Sequence, residues 1–261
     1  MNDSSMYDQF GIDYDRFVNW QGRLAVELPF LLREISSLGQ ITEQSASILD
    51  AACGTGQHLV ALSDQGYECT GADFSAEMIK IARQNALKAN QKIDFYQASF
   101  GEIRQEISDK SFDCILCLGN SLPHLLNSKN LLIAIKDFRS LLNANGRLII
   151  QNRNFDKVIA EKIRWMEPQT YREDEKTWIF NRFYDFEPDG LITFNIQKLF
   201  SFNNGDFSQE NMSTKLWPQT QAVIVEALKV CGFDELRFYG DLAGSDYEPE
   251  RSENLVIIAD I

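Results

Sequence analysis

Through the first 150 residues, short apolar runs alternate with longer stretches in which apolar positions recur every three or four residues. The short runs suit strands and the longer ones suit helices with one buried face, which together make the pattern of a parallel sheet covered by helices. The spacing predicts a helix over 23–38, a strand over 47–51, a helix over 56–65, a strand over 68–73 and a helix over 76–89. It then predicts strands over 92–98, 112–118 and 147–152, with a helix over 130–142 before the last of them. Turns fall at Asp64-Gln65-Gly66 and Asn143-Ala144-Asn145-Gly146, since Gly and Asn accept the left-handed backbone found at helix ends.

Beyond Phe155 the pattern changes. Two alternating runs, Thr177 to Phe186 and Leu191 to Phe202, join at Pro188-Asp189-Gly190 and read as an antiparallel hairpin. Phe207 to Trp217 adds a third strand after the turn Asn203-Asn204-Gly205-Asp206. A helix over 220–230 and strands over 235–239 and 255–260 close the main sheet. The expected fold class is α/β, a seven-stranded and mostly parallel sheet with helices on both faces. It forms one domain over 1–261, into which 157–218 inserts as an antiparallel lid-like subdomain. The first dozen residues are expected to be loosely ordered.

Composition removes several function classes. A formal charge of −13, from 38 acidic and 25 basic residues with no basic stripe, would repel a phosphate backbone, so no nucleic-acid partner is expected. Apolar runs such as Cys114 to Leu118 fall far short of the roughly 20 residues a membrane-spanning helix requires, so no membrane partner is expected either. Met1 to Phe10 lacks the basic start and apolar stretch of a secretion signal, which makes a cytoplasmic location the expectation. The 5 cysteines are scattered and odd in number, which is not a disulfide framework. Cys114 and Cys117 form a C-x-x-C, but three positions apart on a strand they point to opposite faces, and no metal site is expected.

Candidate chemistry begins at Ile48-Leu49-Asp50-Ala51-Ala52-Cys53-Gly54-Thr55-Gly56, an apolar strand running into a glycine loop at a helix start. Glycines there let the backbone approach a ligand, and free amides at a helix start attract negative charge. In a dinucleotide fingerprint a third glycine stands three residues after the second, but here that residue is Leu59, which disfavours a pyrophosphate loop and a nicotinamide-dependent oxidoreductase. Asp73 ends the next strand, where a carboxylate can take both hydroxyls of a ribose.

Ile48 to Gly56 together with Gly71-Ala72-Asp73 resembles the first two motifs of class I S-adenosylmethionine methyltransferases, and the resemblance covers nearly the whole chain. It implies a Rossmann-like sheet, S-adenosyl-L-methionine as cofactor and S-adenosyl-L-homocysteine as product. By the same resemblance Ala98-Ser99-Phe100 flanks the adenine, with Ser99 and Phe100 on the cofactor, and Met78 packs on the adenine face unless it belongs to the core. Asp50, Ala52, Gly54, Gly56, Asp73 and Leu118 complete the cofactor set.

Within that superfamily, Cys117-Leu118-Gly119-Asn120-Ser121-Leu122-Pro123-His124-Leu125 is similar to the fourth-strand motif of glycine and sarcosine N-methyltransferases. Arg153-Asn154-Phe155-Asp156 matches the sequence after their fifth strand, whose arginine takes the carboxylate of the amino-acid acceptor. A guanidinium meets a carboxylate with two parallel hydrogen bonds, so Arg153 is the leading specificity residue, with a surface arginine at a strand end as the alternative. Tyr14 to Arg23 resembles a lid segment. There Arg23 would take the methionine carboxylate of the cofactor or simply open a helix, while Tyr14 and Trp20 would line the site or staple the segment to the core.

The resemblance thus implies Tyr14, Asn120, His124 and Arg153 on the substrate, a small-molecule acceptor, and singles out no residue as catalytic. Trp178, Phe180, Phe183, Tyr184 and Trp217 would cover the acceptor or pack the hairpin, and could serve a homo-oligomer interface equally well. The alternatives are a different small-molecule acceptor, and a regulatory protein that binds the cofactor without turnover.

Overall fold

The computed structural model describes residues 8, 10, 11, 13–38, 45–203 and 205–261. Five strands come first: β1 (Ser47–Asp50), β2 (Glu68–Asp73), β3 (Asp94–Gln97), β4 (Phe112–Cys117) and β5 (Leu142–Arg153). Then β6 (Gln169–Glu173), β7 (Lys176–Phe186), β8 (Ile192–Phe202) and β9 (Ser208–Leu216) make a separate antiparallel sheet in that order. The last two, β10 (Glu235–Tyr239) and β11 (Asn254–Asp260), return to the first sheet, whose order is β10-β11-β5-β4-β1-β2-β3. Neighbours from β5 to β3 are parallel, and β11 is antiparallel to both β5 and β10. Chain order reverses between β1 and β4, which opens a crevice at the C-terminal strand ends where ligands of such sheets bind.

Strand residues alternate between two cores because successive side chains point to opposite faces. Ile48 faces α2 (Trp20–Ser36), α3 (Gln57–Asp64) and α4 (Ala76–Lys88). Leu49 and Ala51 face α5 (Ile103–Glu106), α6 (Ser128–Leu141) and α8 (Gln221–Val230). Here α1 is Asp13–Phe17 and α7 is Phe155–Glu161. The same alternation separates Cys114 from Cys117, which lie in different cores as their spacing predicts.

Capping fixes where the helices begin. The Ser75 hydroxyl accepts the Met78 N–H at 3.1 Å at the start of α4, and the Asn127 side chain accepts the Asn130 N–H at 2.9 Å before α6. Leu59 is accommodated in α3 because Gly71 of β2 faces it: a Cβ there would lie 2.9 Å from a Leu59 methyl. The glycine that lets helix and strand pack closely is thus on the strand rather than on the helix.

Three expectations need correction. The turn at 143–146 is absorbed into β5, whose register against β4 shifts between Phe112 and Cys114, so extra residues bulge out without ending the strand. The short elements α1, α5, α7 and β6 have too few turns or alternations to leave a periodic signal. Of the first dozen residues only Asp8, Phe10 and Gly11 are described, and Phe10 is buried rather than loose. It packs against Tyr14, Phe17 and Phe180. No helix among the described residues is long and apolar enough to cross a membrane.

Candidate active site

A cavity of about 320 Å³ opens at the C-terminal ends of β1, β2, β4 and β5, roofed by α1 and by one face of the second sheet. Its first half is built by the glycine loop. Gly54 has φ +50° and Gly56 φ +76°, left-handed values that turn the chain from β1 into α3 and that an L side chain rarely adopts. The Gly54 N–H donates to Asp73 at 2.9 Å, and the Ser75 N–H donates to the other oxygen of the same carboxylate at 2.9 Å. Burial pushes the Asp73 carboxyl up to about 6, against the pull of those two N–H groups. Burial pushes Asp50, whose carboxylate accepts the Ala52 N–H at 3.2 Å, up to about 7.

Ala52, Gly54, Asp73, Met78, Phe100 and Arg23 all line this half of the cavity. Trp20, Asp50, Gly56, Ser99 and Leu118 are not on its wall. Asp50 and Leu118 are buried behind the loop, and Gly56 caps α3. Trp20 stands edge-on to His58 with Arg23 over its ring. Arg23 donates to Glu27 at 2.9 Å, and the other Glu27 oxygen lies 2.7 Å from His58 Nε2. Although burial works the other way, these partners hold the Glu27 carboxyl below its ordinary value.

The roof is tied down by acids of the N-terminal segment. Asp15 accepts from Thr55 Oγ1 at 2.6 Å, Trp20 Nε1 at 2.8 Å and Asn85 Nδ2 at 3.1 Å. Asp13 pairs with Lys198 of β8 at 2.7 Å, and Asp8 accepts from the Ser75 hydroxyl at 2.6 Å.

The second half gathers Tyr14, Asn120, His124 and Arg153, the four residues expected on the substrate. Gly119 and Asn120, with φ +75° and +66°, turn the chain after β4, and the turn is held by Gln151. The Gln151 side chain accepts the Gly119 N–H at 2.7 Å, and its backbone carbonyl accepts the Asn120 N–H at 3.0 Å. His124 lies in a short 3-10 turn, Leu122–His124, and burial pushes its imidazole down to about 4, so it is neutral at pH 7. Arg153 Nη2 donates to Glu253 at 3.0 Å, while its Nε is buried with no hydrogen-bond partner.

Of the aromatics expected to cover the acceptor, only Tyr184 lines the cavity. Trp178 and Phe180 pack with Phe10, Phe183 stacks on Trp165, and Trp217 packs on the main core. Arg182 is the wall residue that sequence reasoning missed, together with Glu27, Gln151 and Asn254. The signal for Arg182 was present: Trp178, Phe180, Arg182 and Tyr184 share one face of β7, so one cation interrupts an aromatic stripe.

A glycine loop at a strand end, a buried acid beyond the next strand and apolar Met78 and Phe100 between them make a chamber that fits a nucleoside carrying a zwitterionic tail. Residues 48–146 match the family described as methyltransferase domain. The chain is 30% identical over 245 residues to a glycine/sarcosine N-methyltransferase of Halorhodospira halochloris, covering 93% of this chain and 85% of the relative. It is 27% identical to the enzyme of the same name from Aphanothece halophytica, over 87% of this chain and 79% of the relative. A crystal structure of an S-adenosylmethionine-dependent methyltransferase from Clostridium acetobutylicum has the same fold, with a TM-score of 0.74 at 18% identity over 99% of this chain and 97% of that one. The chain therefore belongs to the class I S-adenosylmethionine-dependent methyltransferases, and is an enzyme whose cofactor is S-adenosylmethionine.

Proposed function

We propose that this methyltransferase acts on the amine of a small amino acid, with glycine and sarcosine, the acceptors in its relatives' names, as the first to be tried. One observation carries the reading: the cavity wall holds Arg153 with a buried Nε–H that no protein group accepts. A buried donor without a partner is costly, and an acceptor carboxylate would supply two parallel hydrogen bonds.

In this reading Asp73 takes the ribose hydroxyls, Ala52 and Gly54 bring backbone close to the cofactor, and Gly56 and Asp50 shape that loop from behind. Met78, Ser99 and Phe100 belong to the adenine end, Arg23 takes the methionine carboxylate, and Trp20 and Leu118 support the wall. The segment 157–218 serves as the acceptor cover, through Arg182, Tyr184, Phe194 and Ile196.

When bound, S-adenosylmethionine supplies an electrophilic methyl group on a sulfonium whose leaving group is neutral. The protein's task is then chiefly to position the amine, and holding two reactants in line is worth roughly 7–11 kcal/mol. Arg153 and the Asn120 NH2 group fix the carboxylate end, and the Tyr14 hydroxyl oxygen accepts from the amine. His124 orients the acceptor and does not act as a strong base. Moving a proton from an alkylammonium of pKa about 10 to an imidazole near 4 is uphill by about 8 kcal/mol, against about 4 kcal/mol for releasing it to bulk solvent at pH 7, so the amine loses its proton to bulk solvent before attack.

The test is calorimetric titration of S-adenosylmethionine followed by S-adenosylhomocysteine release with glycine, sarcosine and dimethylglycine. Arg153→Ala is expected to raise the acceptor KM by about two orders of magnitude or more while cofactor affinity holds. An unchanged KM would remove the carboxylate assignment.

A further inference from the structure

The acceptor half of the cavity carries more positive charge than one carboxylate answers. Arg153 enters it from the end of β5 in the central sheet, and Arg182 enters from β7 in the second sheet. Arg153 is partly compensated: Glu253, which it shares with Lys157, accepts from its Nη2 at 3.0 Å and from Lys157 Nζ at 2.7 Å. Arg182 has no carboxylate partner among the described residues. Its Nη2 donates to the Glu167 backbone carbonyl at 3.3 Å, and its guanidinium lies 4.7 Å from the centroid of the Phe17 ring. Its Nε, like that of Arg153, is buried without an acceptor.

Both guanidiniums line one cavity and repel each other; burial, and after it the charge of Arg153, push the Arg182 pKa down. Met166, Phe194 and Ile196 line the same cavity and keep its dielectric low, so the repulsion is poorly screened. An anion lying against both cations relieves it. One carboxylate uses the paired N–H groups of one guanidinium, and in the reading above the acceptor's α-carboxylate goes to Arg153. The Nε–H of Arg182 is then still unanswered.

Resting on that reading, we propose that Arg182 is a specificity-determining residue that binds a second carboxylate of the acceptor, so that the preferred substrates are amino acids carrying an acidic side arm. The Tyr184 hydroxyl, next along the same face of β7, adds a neutral donor on the same wall.

The experiment measures S-adenosylhomocysteine release by wild-type enzyme, Arg182→Gln and Arg182→Lys with glycine, sarcosine, aspartate, glutamate and iminodiacetate. Wild type is expected to give a higher kcat/KM on at least one dicarboxylic acceptor than on either monocarboxylic one. In Arg182→Gln the ratio of dicarboxylic to monocarboxylic kcat/KM falls about tenfold or more, through KM, as loss of a charge-assisted hydrogen bond requires. Arg182→Lys recovers part of it. Cofactor titration of each variant checks that the fold is intact, and the wild-type preference is decisive even if a variant does not fold. A wild type that prefers glycine or sarcosine overturns the inference while leaving amino-acid methylation standing, as does a ratio unmoved by Arg182→Gln. No release with any of the five acceptors, despite cofactor binding, overturns amino-acid methylation and the inference with it.

Discussion

Asn120 and Arg153 are joined at the neighbouring ends of β4 and β5: the Asn120 side-chain oxygen accepts the backbone N–H of Arg153 at 2.9 Å. This bond commits the carbonyl end of the amide and leaves its NH2 group to face the cavity. Asn120 also holds φ +66°, a value Asn tolerates better than other side chains. Asn120→Ala is expected to lose roughly 2 kcal/mol, from one hydrogen bond and the left-handed backbone, which is about 4–8 °C in melting temperature for a chain of this size. Asn120→Gly should regain the backbone part in thermal denaturation but keep a raised acceptor KM. A glycine variant with wild-type KM would remove the amide from the acceptor site.

Asp15 works as a latch between the roof and the glycine loop, since one carboxylate serves Thr55, Trp20 and Asn85. Asp15→Ala leaves the Thr55 and Trp20 donors without their acceptor, leaves Asn85 only its bond to the Thr55 carbonyl, and frees α1 from the loop. Cofactor affinity is expected to fall about 5- to 150-fold, corresponding to 1–3 kcal/mol. Calorimetric titration giving an unchanged Kd would show that the roof closes without this carboxylate.

Asp50 and Asp73 make stability and cofactor binding run in opposite directions with pH. Burial raises both carboxyls, to about 7 and about 6, above an unfolded value near 3.9. The folded apo-protein therefore binds more protons than the unfolded chain between about pH 4 and 7, and its stability falls as pH rises through that window. Asp50→Asn keeps an acceptor for the Ala52 N–H and removes the ionisation. It should be more stable than wild type at pH 8, by up to about 4 kcal/mol, with the gap closing toward pH 4. Scanning calorimetry at several pH values checks this, and equal stability at pH 8 would contradict it.

Ribose hydroxyls donate better to a carboxylate than to a carboxylic acid, so cofactor affinity should weaken as pH drops below about 6, where Asp73 takes up its proton. Titrations of S-adenosylmethionine across pH 5 to 8 read this directly. Asp73→Asn should abolish the dependence and lower affinity, because an amide cannot accept from both the Gly54 and Ser75 N–H groups with its two ends.

Thiol chemistry gives a check on the cores. Cys53, Cys69, Cys114 and Cys117 are buried, and burial pushes the Cys69 thiol up to about 12. Only Cys231 has partial exposure. A thiol reagent should titrate one cysteine slowly in the native protein and all 5 after denaturation. Rapid reaction of two or more would mean that a strand opens readily.

Much of the molecule was legible along the chain because its signals are local. The turn from β1 into α3 needs left-handed residues at Gly54 and Gly56, and Asp73 stands one strand later, so order and spacing make the loop and its acid readable along the chain. Strand alternation likewise assigned Cys114 and Cys117 to different faces without any knowledge of the rest. Even so, Leu59 made sense only beside Gly71, since close packing of helix on strand can be supplied from either partner.

What the sequence by itself determined was the kind of sheet, the glycine loop after β1 and the presence of Arg153 at a strand end. Only the tertiary structure decided which side chains share the cavity. Arg182 stood on a readable face of β7, but periodicity says which residues point the same way and not what they point at. That depends on how the second sheet packs over the first, bringing Arg182 to Arg153 and Lys198 to Asp13. Such contacts arise between segments far apart in the chain, fixed by burial and charge compensation in the folded state and by no local preference of the residues themselves.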